Sequence, residues 1–354
     1  MTYMKKIIYL ITLSVLLFAG CSKHSVAPEA PEQFDRYIFF SQQVQTKAEL
    51  IESGDAMGQF GVVGFKYDQD QYEDLADFIS ENPTQTPNVF FDDAGARVDV
   101  ETCSVDGTNA SYAPLQGWSN SKKYSFFAYY PIANDYVTLV NTADGKDYTK
   151  GVPAIKYTMG VTDFKESMVD VMVATPHMNL DGSSSDVTNA DVEFSFNHCL
   201  AALGLNIENA STATIHLTAV TLSLSNIQNS TAIIALDGSS EAYDGSVSNK
   251  VCGITLPFGG LTLETEDSAE LSDKLILIPQ SEELSVDLTI NYKRTYSNGT
   301  VMDGQTFTTS TPLTTALTKG MNHTIYLKFT DSNTYAMVKS GNWETGPNVN
   351  HEFN

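Results

Sequence analysis

The strongest constraint in this chain is a strict alternation of apolar and polar residues, plainest where Val286, Leu288, Ile290 and Tyr292 interleave with Asp287, Thr289 and Asn291. Successive side chains of a strand point to opposite faces, so a period of two marks strands with one face buried. The pattern recurs at Val192, Phe194 and Phe196, at Val220, Leu222 and Leu224, at Ile325, Leu327 and Phe329, and at Tyr124, Phe126, Ala128 and Tyr130. Clusters of Gly, Asn, Asp and Ser separate these runs. Repeated short strands with such punctuation predict an all-β chain of sandwich type. Helical spacing is confined to Tyr72, Leu75, Phe78 and Ile79, enough for a turn or two inside an acidic stretch.

The first residues follow another rule. Lys5 and Lys6 precede an apolar stretch at 7–18, and the small pair Ala19 and Gly20 comes directly before Cys21. Charge, apolar core and small exit make an export signal. The stretch falls short of the ~20 apolar residues that cross a bilayer as a helix. The cysteine after the small pair predicts a lipoprotein, with 1–20 a signal peptide and Cys21 the acylated (palmitate-type) first residue that holds the protein at the outer membrane. Ordinary secretory cleavage is the alternative. Each buried methylene of a lipid contributes about 0.8 kcal/mol, so several chains on one cysteine make a durable anchor. Residues 21–34, with Pro28 and Pro31, read as a tether.

The 354 residues carry 43 acidic and 20 basic side chains, a net charge of −23. Loss of 1–20 would remove two lysines and no acid. Such acidity excludes nucleic acid as a partner and suits a solvated extracellular surface. The length exceeds what one core usually serves, so two domains are expected, at 35–178 and 191–354. Between them the polar run 179–190, with Gly182 and three consecutive serines, reads as a linker.

Chemistry-bearing patterns are absent from the sequence. Six histidines show no zinc spacing. Gly54, Gly58, Gly61 and Gly64 lack the Lys-Ser/Thr of a phosphate loop, and no nucleophile elbow occurs. Asp68, Asp70 and Asp74 resemble a calcium loop only until Glu73 replaces its glycine and Ile79 its bidentate acid. His198 between apolar neighbours reads as a hydrogen-bonded core histidine, and Trp118 and Trp343 as packing residues before sugar platforms. Cys103, Cys199 and Cys252 read as buried free thiols, with a Cys199–Cys252 bridge the alternative. No catalytic set, cofactor or metal site is expected, and the chain does not read as an enzyme.

Several segments in order resemble the fimbrillin family, the type V pilin subunits (Mfa-like fimbrillins) of Bacteroidia-type anaerobes. They run from Cys21 to Tyr37, Ile38, Phe39, Phe40 and Ser41, then Thr46, Lys47 and Ala48, then Trp118 with the aromatic strand at 124–131. Asp170 to Ala174, Phe196 to Leu200, Leu275 to Gln280, Leu317 to Gly320 and Thr324 to Lys328 follow. The resemblance covers nearly the whole mature chain. It implies two tandem transthyretin-like (Greek-key) β-sandwich domains, a lipoprotein exported to the cell surface, trimming by a protease, and polymerisation with other pilus subunits in a fimbrium by donor-strand exchange.

On that resemblance, cleavage between Lys47 and Ala48 releases a first strand at 37–44 that includes Tyr37, Ile38, Phe39, Phe40 and Val44. About four inward side chains at roughly 1.5–3 kcal/mol each would leave with it, and an extended segment could refill the slot by strand addition. The tail at 333–354, with Tyr335, Met337, Val338 and Trp343, is the candidate donor; a final strand on its own domain is the alternative. A host or bacterial surface receptor is an expected partner of such an adhesin. The competing reading is a permanently anchored lipoprotein that binds glycans or other ligands through Trp118 and Tyr129.

Overall fold

The structure is a computed structural model and describes residues 36–43, 57–82, 86–141, 152–160, 162 and 164–342. The first half of the chain comprises β1 (Phe40–Gln43), β2 (Gln59–Asp68), α1 (Leu75–Glu81), β3 (Glu101–Asp106), β4 (Asn109–Ser111), β5 (Lys122–Tyr130), β6 (Val137–Asn141), β7 (Pro153–Thr158), β8 (Met172–Ala174), β9 (His177–Asp181), α2 (Ser185–Thr188) and β10 (Val192–His198). The second half comprises β11 (Ala201–Asn209), β12 (Ala213–Ser225), β13 (Thr231–Ala235), β14 (Glu241–Asp244), β15 (Lys250–Ile254), β16 (Leu261–Leu263), β17 (Ser268–Glu270), β18 (Leu275–Leu277), β19 (Gln280–Tyr296), β20 (Val301–Thr308), β21 (Leu313–Leu317), β22 (Met321–Phe329) and β23 (Thr334–Asn342). The fold is all-β, as the alternation predicts.

The first sheet runs β2-β3-β4-β1-β10-β8-β5-β9, and an added β2–β5 pairing closes it into a ring. Closure hides strand edges that would otherwise recruit other chains. Even-numbered residues of β2 and β5, namely Phe60, Val62, Tyr124, Phe126 and Ala128, fill the ring together with Phe194 and Phe196 of β10. Odd-numbered residues of the same strands, Val63, Phe65, Tyr67, Phe127 and Tyr129, face a second core that also holds Tyr157 of β7, Leu203 of β11 and Leu288 of β19. Both faces of these strands are thus apolar, and one register serves two cores.

The remaining sheets belong to that second core. β12 and β19 pair antiparallel over most of their length and carry β15 and β20 at the edges. β11 lies parallel to β22, which pairs in turn with β23. A four-stranded sheet, β14-β13-β7-β6, joins strands from both halves of the sequence.

Local chemistry explains several details. Asp74 is the N-cap of α1, its Oδ1 accepting from Asp77 N at 2.9 Å. A carboxylate there satisfies an orphan amide of the first turn. Leu75 and Phe78 are buried, with Phe78 stacked 5.3 Å from Tyr67, as the helical spacing predicts. Gly64 lies in β2 under a crossing loop; a Cβ there would stand 2.8 Å from Val89 Cβ. Gly61 and Gly64 therefore leave room for side chains packed directly on the strand.

The expected linker and domain limits fall on ordered structure. The run 179–190 does not behave as a free linker: β9 extends to Asp181, and α2 places Thr188 where its hydroxyl accepts from Arg36. Gly182 is wedged so closely that a Cβ would meet Ser119 O at 2.4 Å. Past residue 191, β10 completes the first ring and β13 pairs with β7. From Arg36 onward the chain forms one compact unit. Long-range pairing, which local composition does not encode, sets this layout.

Candidate functional site

The residues with the most unusual placement are those of β1. β1 pairs parallel with β10, Phe40 opposite Val192 and Gln42 opposite Phe194, and antiparallel with β4, Phe40 opposite Ala110. It is therefore an internal strand of the ring, flanked on both sides. Its backbone is secured further by Ile38 N donating to Gln116 O (2.8 Å), Trp118 N donating to Arg36 O (3.0 Å) and Gln42 N donating to Thr108 O (2.8 Å).

Alternation divides the side chains of β1 and of the extended residues just before it. Ile38 and Phe40 point inward and are fully buried, with Phe40 1 % exposed. The Phe40 ring lies 5.3 Å from Phe126, 5.3 Å from Tyr112 and 5.6 Å from Phe194. Tyr112 reaches the strand from the other side, its hydroxyl donating to Ile38 O at 3.0 Å. Burial pushes that phenol well above its ordinary pKa, so it stays a donor. Tyr37 and Phe39 point outward, Phe39 being 48 % exposed. Phe39, Ala110, Leu115 and Asp191 line an open concavity of about 520 Å³ on that side. Among the described residues of the expected strand, Ile38 and Phe40 are the inward apolar anchors.

Gln42 is the third inward residue and was not legible as such. It is 1 % exposed, and neither its Oε1 nor its Nε2 finds a hydrogen-bond partner among the described residues. The sequence gives no signal for it, because a polar residue in an alternating run is read as outward-facing.

Val44, Lys47 and Ala48, the end of the expected strand and the cleavage site, lie outside the described residues, as does Cys21. Description resumes at Met57, whose side chain is buried in the same core as Phe40.

The candidate donor residues Tyr335, Met337 and Val338 sit on β23, which pairs with β22 along its whole length and has no strand beyond it among the described residues. Ala336 and Val338 pack against the second core, and Tyr335 faces outward. In the single chain this segment is thus an edge strand on its own domain. Trp343 lies outside the described residues. His323 of β22 helps hold it, with Nδ1 2.8 Å from Ser340 Oγ of β23 and Nε2 accepting from Thr318 N at 3.2 Å.

The other candidates resolve as structure. Trp118 and Tyr129 are both buried, and Trp118 packs edge-on to Tyr124 at 4.9 Å, so neither offers a ring face to a sugar. His198 is buried with Nδ1 2.9 Å from Asp170 Oδ1. Cys103, Cys199 and Cys252 are buried free thiols, and burial pushes Cys199 up to about 12. Such thiols are poor nucleophiles. Asp273 is held below the usual carboxylate range: burial opposes this, but hydrogen bonds from Lys165 Nζ (2.6 Å) and Thr255 N (2.7 Å) outweigh it. No cluster of potential metal ligands occurs among the described residues. No described helix is long and apolar enough to cross a membrane.

Comparison with known proteins agrees with this architecture. A fimbrial protein from Bacteroides vulgatus superposes with a TM-score of 0.57 at 19 % identity, covering 87 % of this chain and all of that one. Candidate cell adhesion proteins from Bacteroides uniformis (15 % identity, TM-score 0.46, 88 % of this chain and all of that one) and Bacteroides ovatus (15 %, 0.49, 88 % and 99 %) are more distant. No curated protein matches. The family model described as "Fimbrillin-like" matches residues 69–343, which is most of the chain and contributes residues to both cores, though it begins after β1 and β2. The chain therefore belongs to the fimbrillin-like family.

Proposed function

We propose that the chain is a structural and adhesive pilus subunit, delivered to the outer membrane as a lipoprotein through Cys21, trimmed after Lys47 and polymerised by donor-strand exchange. The observation that carries this reading is the internal seat of β1. It is the first described strand, it is flanked by β4 and β10, and its loss would open the first core along the groove that holds Ile38 and Phe40.

The energetics favour exchange over permanence. Two buried apolar side chains at about 1.5–3 kcal/mol each give β1 roughly 3–6 kcal/mol of apolar stabilisation, a substantial share of the ~5–15 kcal/mol that holds a typical domain. Emptying the groove leaves apolar surface and unpaired backbone on both walls, which only another extended segment can satisfy together. Edge strand β23, with one neighbour and half-exposed side chains, is the segment of this chain most easily detached to serve as donor.

N-terminal sequencing of protein recovered from surface filaments tests the reading. We expect Ala48 as the first residue. Assembled subunits that retain an acylated Cys21 would overturn it.

A further inference from the structure

Gln42 is the one inward residue of β1 that does not suit its place. The two inward residues before it are apolar and fully buried, and its neighbour across the parallel ladder is Phe194, which lies wholly within the aromatic core with its ring 5.9 Å from Phe60 and 6.3 Å from Phe196. A primary amide needs up to four hydrogen bonds; this one makes none among the described residues. A buried unpaired amide is a standing penalty that an apolar group of similar shape would not incur.

We propose that the groove occupied by β1 has an apolar third subsite, filled in the single chain by the misfit Gln42, and that the strand replacing β1 brings an apolar side chain to it. This rests on the strand-release reading above and adds the partner's chemistry. The resident strand holds the core closed but fits it imperfectly at one position. An incoming strand that fits all three positions is favoured over it, and exchange runs in one direction. The occupant is the C-terminal segment of a second copy. In β23, Tyr335 and Met337 have the spacing of Phe40 and Gln42, an aromatic residue followed two places later by an apolar one, and Tyr335 faces solvent in the single chain.

The test uses the full chain. In the uncut protein, Gln42→Leu should raise the urea midpoint; a lowered midpoint overturns the proposal. In a second form a site-specific protease sequence is placed within 44–56, the chain is cut, and displacement of the labelled N-terminal fragment by synthetic peptides is followed by fluorescence anisotropy. The peptide 36–43 carrying Gln42→Leu should bind at least tenfold more tightly than the natural peptide, ~1.4 kcal/mol. The peptide 333–340 should bind at least tenfold more tightly than its Met337→Gln form. Equal or weaker binding of the Leu peptide overturns the subsite, and a tail peptide indifferent to Met337→Gln overturns the assigned occupant. Failure of every peptide, the natural one included, to displace the fragment overturns strand release itself and this inference with it.

Discussion

Phe40→Ala is the sharpest test of how β1 is held. The side chain is 1 % exposed and its ring lies between 5.3 and 6.1 Å from those of Tyr112, Phe126, Phe194 and Phe90. Those neighbours belong to four different segments, so the site cannot collapse by shifting one of them. Truncation of a buried Phe costs about 3–5 kcal/mol through lost transfer energy and the remaining cavity, and poor collapse places this site toward the upper end. The adjacent Phe39, 48 % exposed, should cost no more than about 0.5 kcal/mol. The assay is urea unfolding followed by Trp118 fluorescence in a Trp343→Phe background, since Trp118 is packed in the same core as Phe40. The expected result is a lower midpoint with an unchanged slope for Phe40→Ala and almost no shift for Phe39→Ala. Similar costs at the two positions, or a loss under about 1 kcal/mol at Phe40, would refute the alternation on which the groove is built.

Three further outcomes follow from single residues. Gly182→Ala should destabilise by about 1–3 kcal/mol, as overpacking does, because its Cβ would meet Ser119 O at 2.4 Å and Lys122 O at 2.9 Å; thermal unfolding reads this directly. Asn209→Ala should cost about 3 kcal/mol, since its buried Nδ2 donates to Ala213 O, Leu263 O and Glu264 O and its Oδ1 accepts from Ser211. For His323, burial lowers the folded pKa below the ordinary 6.5. The unfolded chain then binds the proton first, so the contribution of His323 to stability is present above pH 6.5 and declines as pH falls from there toward the folded pKa. His323→Gln should flatten that part of the stability profile, and protection factors in β23, corrected for the intrinsic pH dependence of exchange, should fall on acidification in the parent chain alone.

What the sequence made legible is what local periodicity encodes. The strands that contain Leu288, Phe194, Leu222, Phe126 and Leu327 all lie where the alternation places them; burying one face fixes the period in β10, β12 and β19, whereas β5 and β22 are buried on both faces. The role of 179–190 was not legible. Asp181 accepting from Ser183 and the tight fit of Gly182 use the same residue types as an open linker, and only the third dimension separates the two. Nor could the sequence reveal that β10 closes the first ring, since its partner β1 lies some 150 residues upstream and no register is written in either strand. Gln42 is the hardest case: pattern reading assigns polar residues outward, so a polar residue held inward is invisible to it. Such departures collect where a fold is made to change.

The internal position of β1 also changes what a lipid on Cys21 would do. Cys21 precedes β1 in the chain, so any covalent path from a lipid on it to the strands that follow runs through β1. While the chain is continuous, the link between lipid and body is covalent. Once it is cut between Gln43 and Met57, the same link is the seat of one strand, with Ile38 and Phe40 as its apolar anchors and Gln42 working against it. Several acyl chains at about 0.8 kcal/mol per methylene bury far more apolar surface than the two anchors of the strand, whose apolar contribution is roughly 3–6 kcal/mol. If the chain is acylated and cut as proposed, the strand is the weakest point, and the lipid and β1 stay behind while the body leaves with an open groove. Anchoring and priming for assembly are on this account one event, governed by how poorly Gln42 fits.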